Sequence, residues 1–493
     1  MLRLTCCSNP FEGVDFWLSS EYAHNVATSV EREGVDHNDP LANAAKIPTS
    51  LWLDSIAALP KLTQALEAAR RQQRRTGVPS LVVIVVYNLP GRDCSAQASS
   101  GELLAGELNR YQNEYLLPIS MLAAEFSEVP KVFLLEPDSL PNLITNMWAA
   151  KCKDVAADYK NGIAVAIRKL SPLGTVYLDA GWSGWIGSWA ADSMAKLMAE
   201  VIELAGSSAI VRGFVTNVSN YGSTSSEVEY GKLLLHHLAT AGHGEMRFII
   251  DTSRNAGGQV MDSQKTWCNA NGAGMGRPPT AHTGISLVDA FLWVKPPGES
   301  DGTSDPNAPR FDPSCAQPTS MPNAPQAGEW FHDAFVMLAH NAKPSLRHIP
   351  EYVSSPKRMH PPPQPRPSPE ASPPAPRRPL TAEEFFELLS HEVLPPPLPP
   401  PRREAMMQNE FDELNRSPPL SWLRTSPPMP GLTAMLPLSK LSPTTTSNLK
   451  EILKKAQTSW IIALVLVGSI LLLLRALRKE CDHCPGRAAE RFV

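Results

Sequence analysis

Acidic residues follow several apolar runs of this sequence, each close after the run's last apolar residue. Asp138 stands in LLEPDSL, Asp93 in YNLPGRDC and Asp179 in YLDAG, while Glu299 and Asp301 share PPGESDGTS. Two carboxyl groups can divide acid and base work: one, kept protonated by burial, protonates a leaving oxygen, and the other activates water or attacks carbon. Cleavage of a glycosidic bond requires this chemistry. Asp138, one residue beyond the proline that ends its run, is the candidate acid.

Tryptophans lie near the same chain positions. Trp52, Trp182, Trp185 and Trp267 fall at or just past the ends of apolar runs. A single tryptophan is more often part of a hydrophobic core. Four near one edge favour a stacking surface for sugar rings, because the C–H face of a pyranose packs on an indole.

Seven apolar, β-rich runs must position these side chains. They cover residues 47–55, 80–88, 131–137, 175–181, 210–217, 247–253 and 290–296. Helical segments such as 143–170 separate them, a pattern that predicts βα units around a parallel sheet, either barrel-like or doubly wound. Most runs end in a polar or aromatic residue: Tyr87, Asp138, Asp179, Asn217, Asp251 and Lys295. Since barrel enzymes build their sites at the carboxyl edge, we expect these residues to converge there.

Composition divides the 493 residues into a folded part and a tail. More than half of the 48 prolines fall between Pro344 and Pro443, whereas the preceding part has an ordinary globular mix. The net charge is only -4, and no stretch interleaves basic and aromatic residues, so nucleic acid is not expected as a partner. The proline-rich tail predicts an extended stalk. Two short amphipathic segments within it are interpreted either as helices that dock a protein or as incidental helices.

One apolar segment, 458–477, has the length of a transmembrane helix. A buried core helix is the alternative, but the proline-rich neighbourhood offers no core. Basic residues flank the segment on both sides, so charge does not fix its orientation.

The amino terminus has no apolar run of the length a signal peptide needs. Four cysteines of the folded part, Cys94, Cys152, Cys268 and Cys315, permit two disulfides in three connectivities, and CDHC at 481–484 lacks the second ligand pair of a zinc site.

The motifs resemble those of glycoside hydrolase family 6, the family of cellobiohydrolase II and related endoglucanases. The resemblance runs from about Asn9 to about Leu346 and includes SLWLDS, VVYNLPGRDCSAQASSGE, LLEPDSLPNLITN, YLDAGWSGWIG, DTSRN, WCN and FLWVKPPGESDGTS. It implies an α/β fold with a distorted, seven-stranded parallel (β/α) barrel. It also implies hydrolysis of β-1,4-glucosidic bonds in cellulose with inversion, without a metal or other cofactor.

The resemblance also implies roles for individual residues. Asp138 matches the general acid, Asp93 the aspartate that tunes it and is implicated in activating water, and Asp301 the aspartate proposed as base; the choice between the last two stays open. Three further positions match residues around the scissile bond: Tyr87, Ser99 and Asp179. Sugar-stacking positions match Trp52, Trp185 and Trp267, and hydrogen-bonding positions match Asn220, Lys295 and Glu299. Disulfide positions match Cys94 with Cys152 and Cys268 with Cys315.

Three departures from the family pattern stand out. Asn88 and Gly91 occupy positions that are usually aspartates, which lowers the negative charge around Asp93. Trp182 replaces a common histidine, so a stacking surface is expected where a hydrogen bond to glucose would be. The segment between Tyr221 and Arg247 is shorter than in fungal members, which predicts a remodelled rim of the groove.

The sequence therefore predicts five segments: an N-terminal segment 1–8, a catalytic domain 9–346, a proline-rich stalk 347–457, a transmembrane helix 458–477 and a tail 478–493. The disulfides favour an oxidising compartment, and so a lumenal or extracellular catalytic domain that the C-terminal segment anchors in the membrane. A full-length loop from Lys295 to Cys315 favours exo-action with release of cellobiose from non-reducing ends. An endo-acting β-1,4-glucanase and a catalytically weak glucan-binding protein of cellulose assembly are the alternatives.

Overall fold

A computed structural model describes residues 9–36, 39–257 and 266–353. The N-terminal segment, most of the stalk, the transmembrane segment at 458–477, the tail and the CDHC motif lie outside these residues. Within the described ranges, no helix is both long enough and apolar enough to cross a bilayer. The fold therefore concerns the predicted catalytic domain.

All seven predicted runs contain strands. The strands are β1 (Asp15–Phe16), β2 (Leu51–Leu53), β3 (Ser80–Val86), β4 (Lys131–Leu135), β5 (Thr175–Asp179), β6 (Gly213–Thr216), β7 (Arg247–Asp251) and β8 (Val288–Leu292). The two-residue β1 was not predicted, because so short a strand leaves no periodic pattern. Every pair is parallel, and the order is β2–β3–β4–β5–β6–β7–β8, with β1 beside the first residues of β3.

The sheet curls so that its two edge strands approach each other. The Ser50 N–H donates to the carbonyl of Trp293 at 3.1 Å, and the Trp52 indole N–H donates to the carbonyl of Val294 at 2.8 Å. No ladder joins β8 to β2 among the described strands. The expected seven parallel strands are confirmed, but they form a curled half-barrel that is open along this seam.

Helices cover the outer face of the sheet. They are α1 (Ser20–Glu33), α2 (Pro40–Asn43), α3 (Leu59–Thr76), α4 (Leu108–Arg110), α5 (Leu117–Glu125), α6 (Ser139–Thr145), α7 (Ala150–Leu170), α8 (Gly187–Ala205), α9 (Thr224–Thr240) and α10 (His332–His340). The sequence predicted a single helical segment over 143–170. In the structure this segment contains the end of α6 and all of α7. Asn146 ends α6, and its side-chain amide donates to Ser95 and Asn142, which are polar partners outside α7.

Alternation along the strands separates two apolar layers. Val82, Ile84 and Val86 of β3 pack outward with the helices, whereas Val83 and Val85 belong to the cluster inside the curled sheet. Because side chains alternate, the next inward position after Val85 is residue 87. The folded unit continues past the predicted boundary at 346: the side chain of Tyr352 packs edge-on against Phe16 with ring centroids 6.0 Å apart.

Candidate active site

A cavity of about 400 Å³ opens at the carboxyl edge of the sheet. It brings together nearly all the predicted site residues, namely Tyr87, Asp93, Ser99, Asp138, Asp301, Trp52, Trp182, Trp185, Asn220, Trp267, Lys295 and Glu299. Asp179 is the exception, since it is buried below the cavity wall. Of the six strand-end residues expected to converge at this edge, three line the cavity, namely Tyr87, Asp138 and Lys295. The other three do not line it: Asp179, Asn217 and Asp251.

Asp138 lies immediately before α6 in a left-handed conformation with φ 68°. Burial raises the pKa of its carboxyl group well above the ordinary value, and the charges of Asp93, Asp179 and Asp301 raise it further. A carboxyl group in this environment keeps its proton at pH values where exposed aspartates have lost theirs. The site therefore holds a proton donor at the cavity wall.

Asp179 supports Asp138 from below. Its position at the end of β5 faces the inside of the curled sheet, and its Oδ2 accepts the Asp138 N–H at 2.9 Å and the Gly181 N–H at 3.1 Å. Burial raises the pKa of Asp179 to about 7, although these two hydrogen bonds act in the opposite direction. Asp179 thus fixes the backbone that carries Asp138 and adds negative charge behind it.

Asp93 lies on the loop after β3 and is held by the side chains around it. The Tyr87 hydroxyl donates to Oδ2 of Asp93, and Ser99 hydrogen bonds to the same carboxyl group. Burial raises the pKa of Asp93, while these hydrogen bonds and the Arg92 charge lower it. The Arg92 guanidinium lies 4.1 Å from the Tyr87 ring centroid and donates to the Ser99 carbonyl at 2.9 Å. Arg92 thereby fixes the loop that positions Asp93.

Asp301 is held through one oxygen of its carboxylate. Its Oδ2 accepts hydrogen bonds from Arg254 Nη1 at 2.8 Å, from the Tyr221 hydroxyl at 2.8 Å and from the Asn269 N–H at 2.9 Å. The Arg254 guanidinium also stacks over the Tyr221 ring, 4.4 Å from its centroid. Arg254 and Asp301 are almost completely buried, so this ion pair fixes a negative charge at the cavity wall. The sequence motif DTSRN contained Arg254, but no role was predicted for it.

Glu136 is a second residue that the sequence analysis missed, although it stands in the same motif as Asp138. Its carboxylate is buried and accepts the N–H groups of Asn88 and Leu89 at 3.1 Å and the Tyr111 hydroxyl at 2.7 Å. Burial raises its pKa to about 7. Tyr111 belongs to a π-helical turn, Tyr111–Leu116, which is a local distortion common near functional sites. Glu136 ties the loop of Asp93 to the end of β4.

The tryptophans at the cavity differ in how they are held. Trp52 packs edge-on against Tyr87 at 5.3 Å, and Lys295 Nζ lies 5.5 Å from the Trp52 ring centroid. Trp185 donates its indole N–H to Thr145 Oγ1 at 2.7 Å. Trp182 lines the cavity but is only 7% exposed. Its ring lies so close to Gly184 that a Cβ there would approach within 2.2 Å, so Trp182 offers less open surface than a free platform.

Two loops meet above the cavity. The Gln97 N–H, in the loop after β3, donates to Oδ2 of Asp312, in the loop after β8, at 3.0 Å. Beside this contact, a Cβ at Gly302 would lie 2.6 Å from the Ala98 side chain, so only glycine permits the close approach. The disulfide Cys268–Cys315 packs against Ala98, and the second disulfide is Cys94–Cys152. Both disulfides implied by the resemblance are confirmed.

Among the described residues, no group of three or more histidine, cysteine or acidic side chains is arranged to hold a metal ion. A half-buried proton donor, two further carboxyl groups and aromatic walls at the carboxyl edge of a curled parallel sheet define an acid–base enzyme of the glycoside hydrolase type.

Comparison with known proteins agrees with this class. The family model described as glycosyl hydrolases family 6 matches residues 11–342. Exoglucanase 3 of Agaricus bisporus is 41% identical over 362 residues, covering 69% of this chain and 80% of that protein. Exoglucanase 2 of Hypocrea jecorina is 40% identical over 364 residues, covering 69% and 76%. The structure of cellobiohydrolase II (Cel6A) from Humicola insolens in complex with glucose and cellotetraose is 36% identical, with a TM-score of 0.64, and covers 69% and 100%. The chain belongs to glycosyl hydrolase family 6.

Proposed function

We propose that the protein hydrolyses β-1,4-glucosidic bonds in cellulose with inversion and releases cellobiose from non-reducing chain ends. The observation that carries this proposal is the half-buried Asp138 carboxyl group, which lies beside Asp93 and Asp301 in a cavity lined by tryptophans and whose pKa is raised well above its ordinary value. In inverting hydrolysis, one carboxylic acid protonates the leaving oxygen while a base activates water on the opposite face of the sugar. Asp138 has the environment of that acid.

The other carboxylates suit different roles. The ion pair with Arg254 and the two further hydrogen bonds fix Asp301 as a negative charge, which can stabilise an oxocarbenium-like transition state. Asp93 shares hydrogen bonds with the hydroxyl groups of Tyr87 and Ser99, which suits it to take a proton from water, directly or through a water chain. We assign Asp93 as the base and Asp301 as the electrostatic partner, although the sequence left this choice open.

Two kinds of contact would hold successive glucose units. The sugar rings would stack on Trp52, Trp185 and Trp267. Their hydroxyl groups would hydrogen bond to Asn220, Lys295 and Glu299. The contact between Gln97 and Asp312 joins the loops after β3 and β8, which both line the cavity, and would restrict access by the interior of a glucan chain more than access by a chain end. This contact between the two loops is the feature that supports exo-action over endo-action.

One experiment tests the function. The purified protein is incubated with cellohexaose and with amorphous cellulose, the products are separated, and the anomeric form of new ends is followed by NMR. Cellobiose released first as the α-anomer, and lost in Asp138→Ala, supports the proposal. Binding of cellohexaose without hydrolysis by the parent protein would favour the glucan-binding alternative, and a spread of long products would favour endo-action.

The location of the domain is also part of this proposal. The two disulfides favour an oxidising compartment, and hence an extracellular or lumenal site. The segment 458–477 has the length and composition of a membrane anchor, and the proline-rich stretch 354–457 would serve as the stalk between it and the catalytic domain. Protease protection of the tagged full chain in sealed microsomes would test this arrangement.

A further inference from the structure

Three consecutive backbone N–H groups at the start of the loop after β3 donate to buried side chains. The Tyr87 N–H donates to the hydroxyl oxygen of Tyr115 at 2.9 Å. The N–H groups of Asn88 and Leu89 both donate to Oε2 of Glu136 at 3.1 Å. Side chains from outside the loop therefore fix the backbone where it leaves the strand and enters the loop that carries the assigned base.

Two tyrosines of the π-helical turn Tyr111–Leu116, which joins α4 to α5, complete this arrangement. The Tyr111 hydroxyl donates to Oε1 of Glu136 at 2.7 Å. The Tyr115 hydroxyl donates to the carbonyl of Leu53, at the end of β2. The two rings stack with their centroids 5.5 Å apart, and both side chains are fully buried. One helical turn thus holds the ends of β2 and β3 and the carboxylate of Glu136.

The backbone held in this way carries Tyr87, the partner of Asp93. The Tyr87 hydroxyl donates to Oδ2 of Asp93, and both residues line the cavity. Tyr111 and Tyr115 do not line it, so they reach the reacting atoms only through this pair. Because a misplacement of about 1 Å can cost about 10²-fold in rate, the support of the Tyr87 backbone bears on catalysis.

We propose that Tyr111 and Tyr115 are positioning residues for the reaction, which hold the Tyr87 hydroxyl against Asp93 from the helical side of the sheet. Tyr115 acts on the Tyr87 N–H directly, and Tyr111 acts through Glu136, whose carboxylate it orients. The inference rests on the proposed function, in which Asp93 takes a proton from water. The hydrogen bond from Tyr87 lowers the pKa of Asp93. A looser pair therefore leaves Asp93 with a higher pKa, so that it is an ionised base only at higher pH.

The test removes each hydroxyl group while keeping its ring. Tyr115→Phe and Tyr111→Phe are made in the full chain, and initial rates on cellohexaose are measured as a function of pH. The Leu53 carbonyl still accepts the Tyr87 N–H, at 3.1 Å, when the Tyr115 hydroxyl is absent. Glu136 keeps its two backbone donors when the Tyr111 hydroxyl is absent. Both variants should therefore fold.

The expected result is a loss of turnover with a shifted pH profile. We expect kcat to fall about tenfold in each variant, which is part of the roughly 10²–10⁴-fold that a positioned base contributes. KM should stay unchanged, since the tryptophans at the cavity are untouched. The acid limb of the kcat/KM profile should move to higher pH, because the pKa of Asp93 rises. A purely structural role would lower the midpoint of urea unfolding and leave the acid limb in place.

Tyr177→Phe is the matched control. Tyr177 is another fully buried tyrosine, and its hydroxyl donates to Oδ2 of Asp289 at 2.7 Å. Asp289 keeps its ion pair with Arg212 in this variant, and neither residue of that pair lines the cavity. The control should lose stability without a change in kcat or in the acid limb.

Two results would overturn the positioning role. One is an unmoved acid limb in both Tyr111→Phe and Tyr115→Phe, and the other is an equal shift in Tyr177→Phe. Both presuppose a parent protein that hydrolyses cellohexaose. A parent that does not hydrolyse it would defeat the proposed function, and this inference with it.

Discussion

Replacing Arg254 by methionine removes the cation that neutralises Asp301. The two side chains are only 2% and 5% exposed, and 2.8 Å separates their charged atoms. Removing one partner of a buried ion pair costs about 3–5 kcal/mol, because the remaining charge is left uncompensated. Tyr221 and Asn269 still donate to Asp301, so we expect the lower part of that range. The same change should also lower kcat, since it disturbs the charge next to the reacting sugar.

The assay is urea unfolding with the slope m compared between variants. Arg254→Met should lower the midpoint without changing m, and adding Asp301→Asn should recover part of the loss, since no unpaired charge then remains. Arg212→Met is the matched control. It breaks a second largely buried pair, with Asp289 at 2.9 Å, which lies away from the cavity and should cost stability without changing kcat of the remaining folded protein. A loss below about 1 kcal/mol in Arg254→Met would refute the reasoning about the buried pair.

Three further predictions follow from the site. Asp179→Asn removes a charge that raises the pKa of Asp138, so the alkaline limb of the kcat/KM profile should move to lower pH; an unmoved limb would contradict this electrostatic role. Asn88 Nδ2 donates to Glu102 at 2.9 Å, so Asn88→Asp places two carboxyl groups together. Its melting temperature should fall more at pH 8, where both are ionised, than at pH 4, and an equal fall would contradict repulsion. Alanine at both cysteines of Cys268–Cys315, which are 47 positions apart, should cost about 4 kcal/mol in urea unfolding, and a loss under about 1 kcal/mol would contradict a constraint on the unfolded chain.

Strand periodicity predicted much of the architecture. The seven runs are rich in β-branched residues and end in turn-forming or polar residues, so their strands and parallel pairing could be expected. Alternation also places Tyr87 and Asp179 on the inward side, because each continues the parity of the residues inside the curled sheet. The position of Asp138 is different. Both Glu136 and Asp138 adopt left-handed conformations, with φ 50° and 68°, and periodicity does not predict such irregular backbone.

Partners that are distant in sequence could not be predicted from spacing. Arg254 and Asp301 are 47 positions apart, and only the packing of the loops after β7 and β8 brings them together. Glu136 gave a clearer signal, since a charged residue directly after the apolar residues VFLL of β4 requires a buried partner. Its donors, however, are two backbone N–H groups and the hydroxyl group of a tyrosine in a π-helical turn. No sequence motif predicts these donors.

The most direct test of the central claim compares leaving groups in Asp138→Asn. A general acid contributes about 10²–10⁴-fold when the leaving oxygen must be protonated, and little when the leaving group departs without a proton. We therefore predict that kcat/KM for cellotetraose falls by about that factor in Asp138→Asn, while kcat/KM for a cellobioside with a dinitrophenol leaving group changes by less than about tenfold. An equal loss on both substrates would contradict the assignment of Asp138 as the acid.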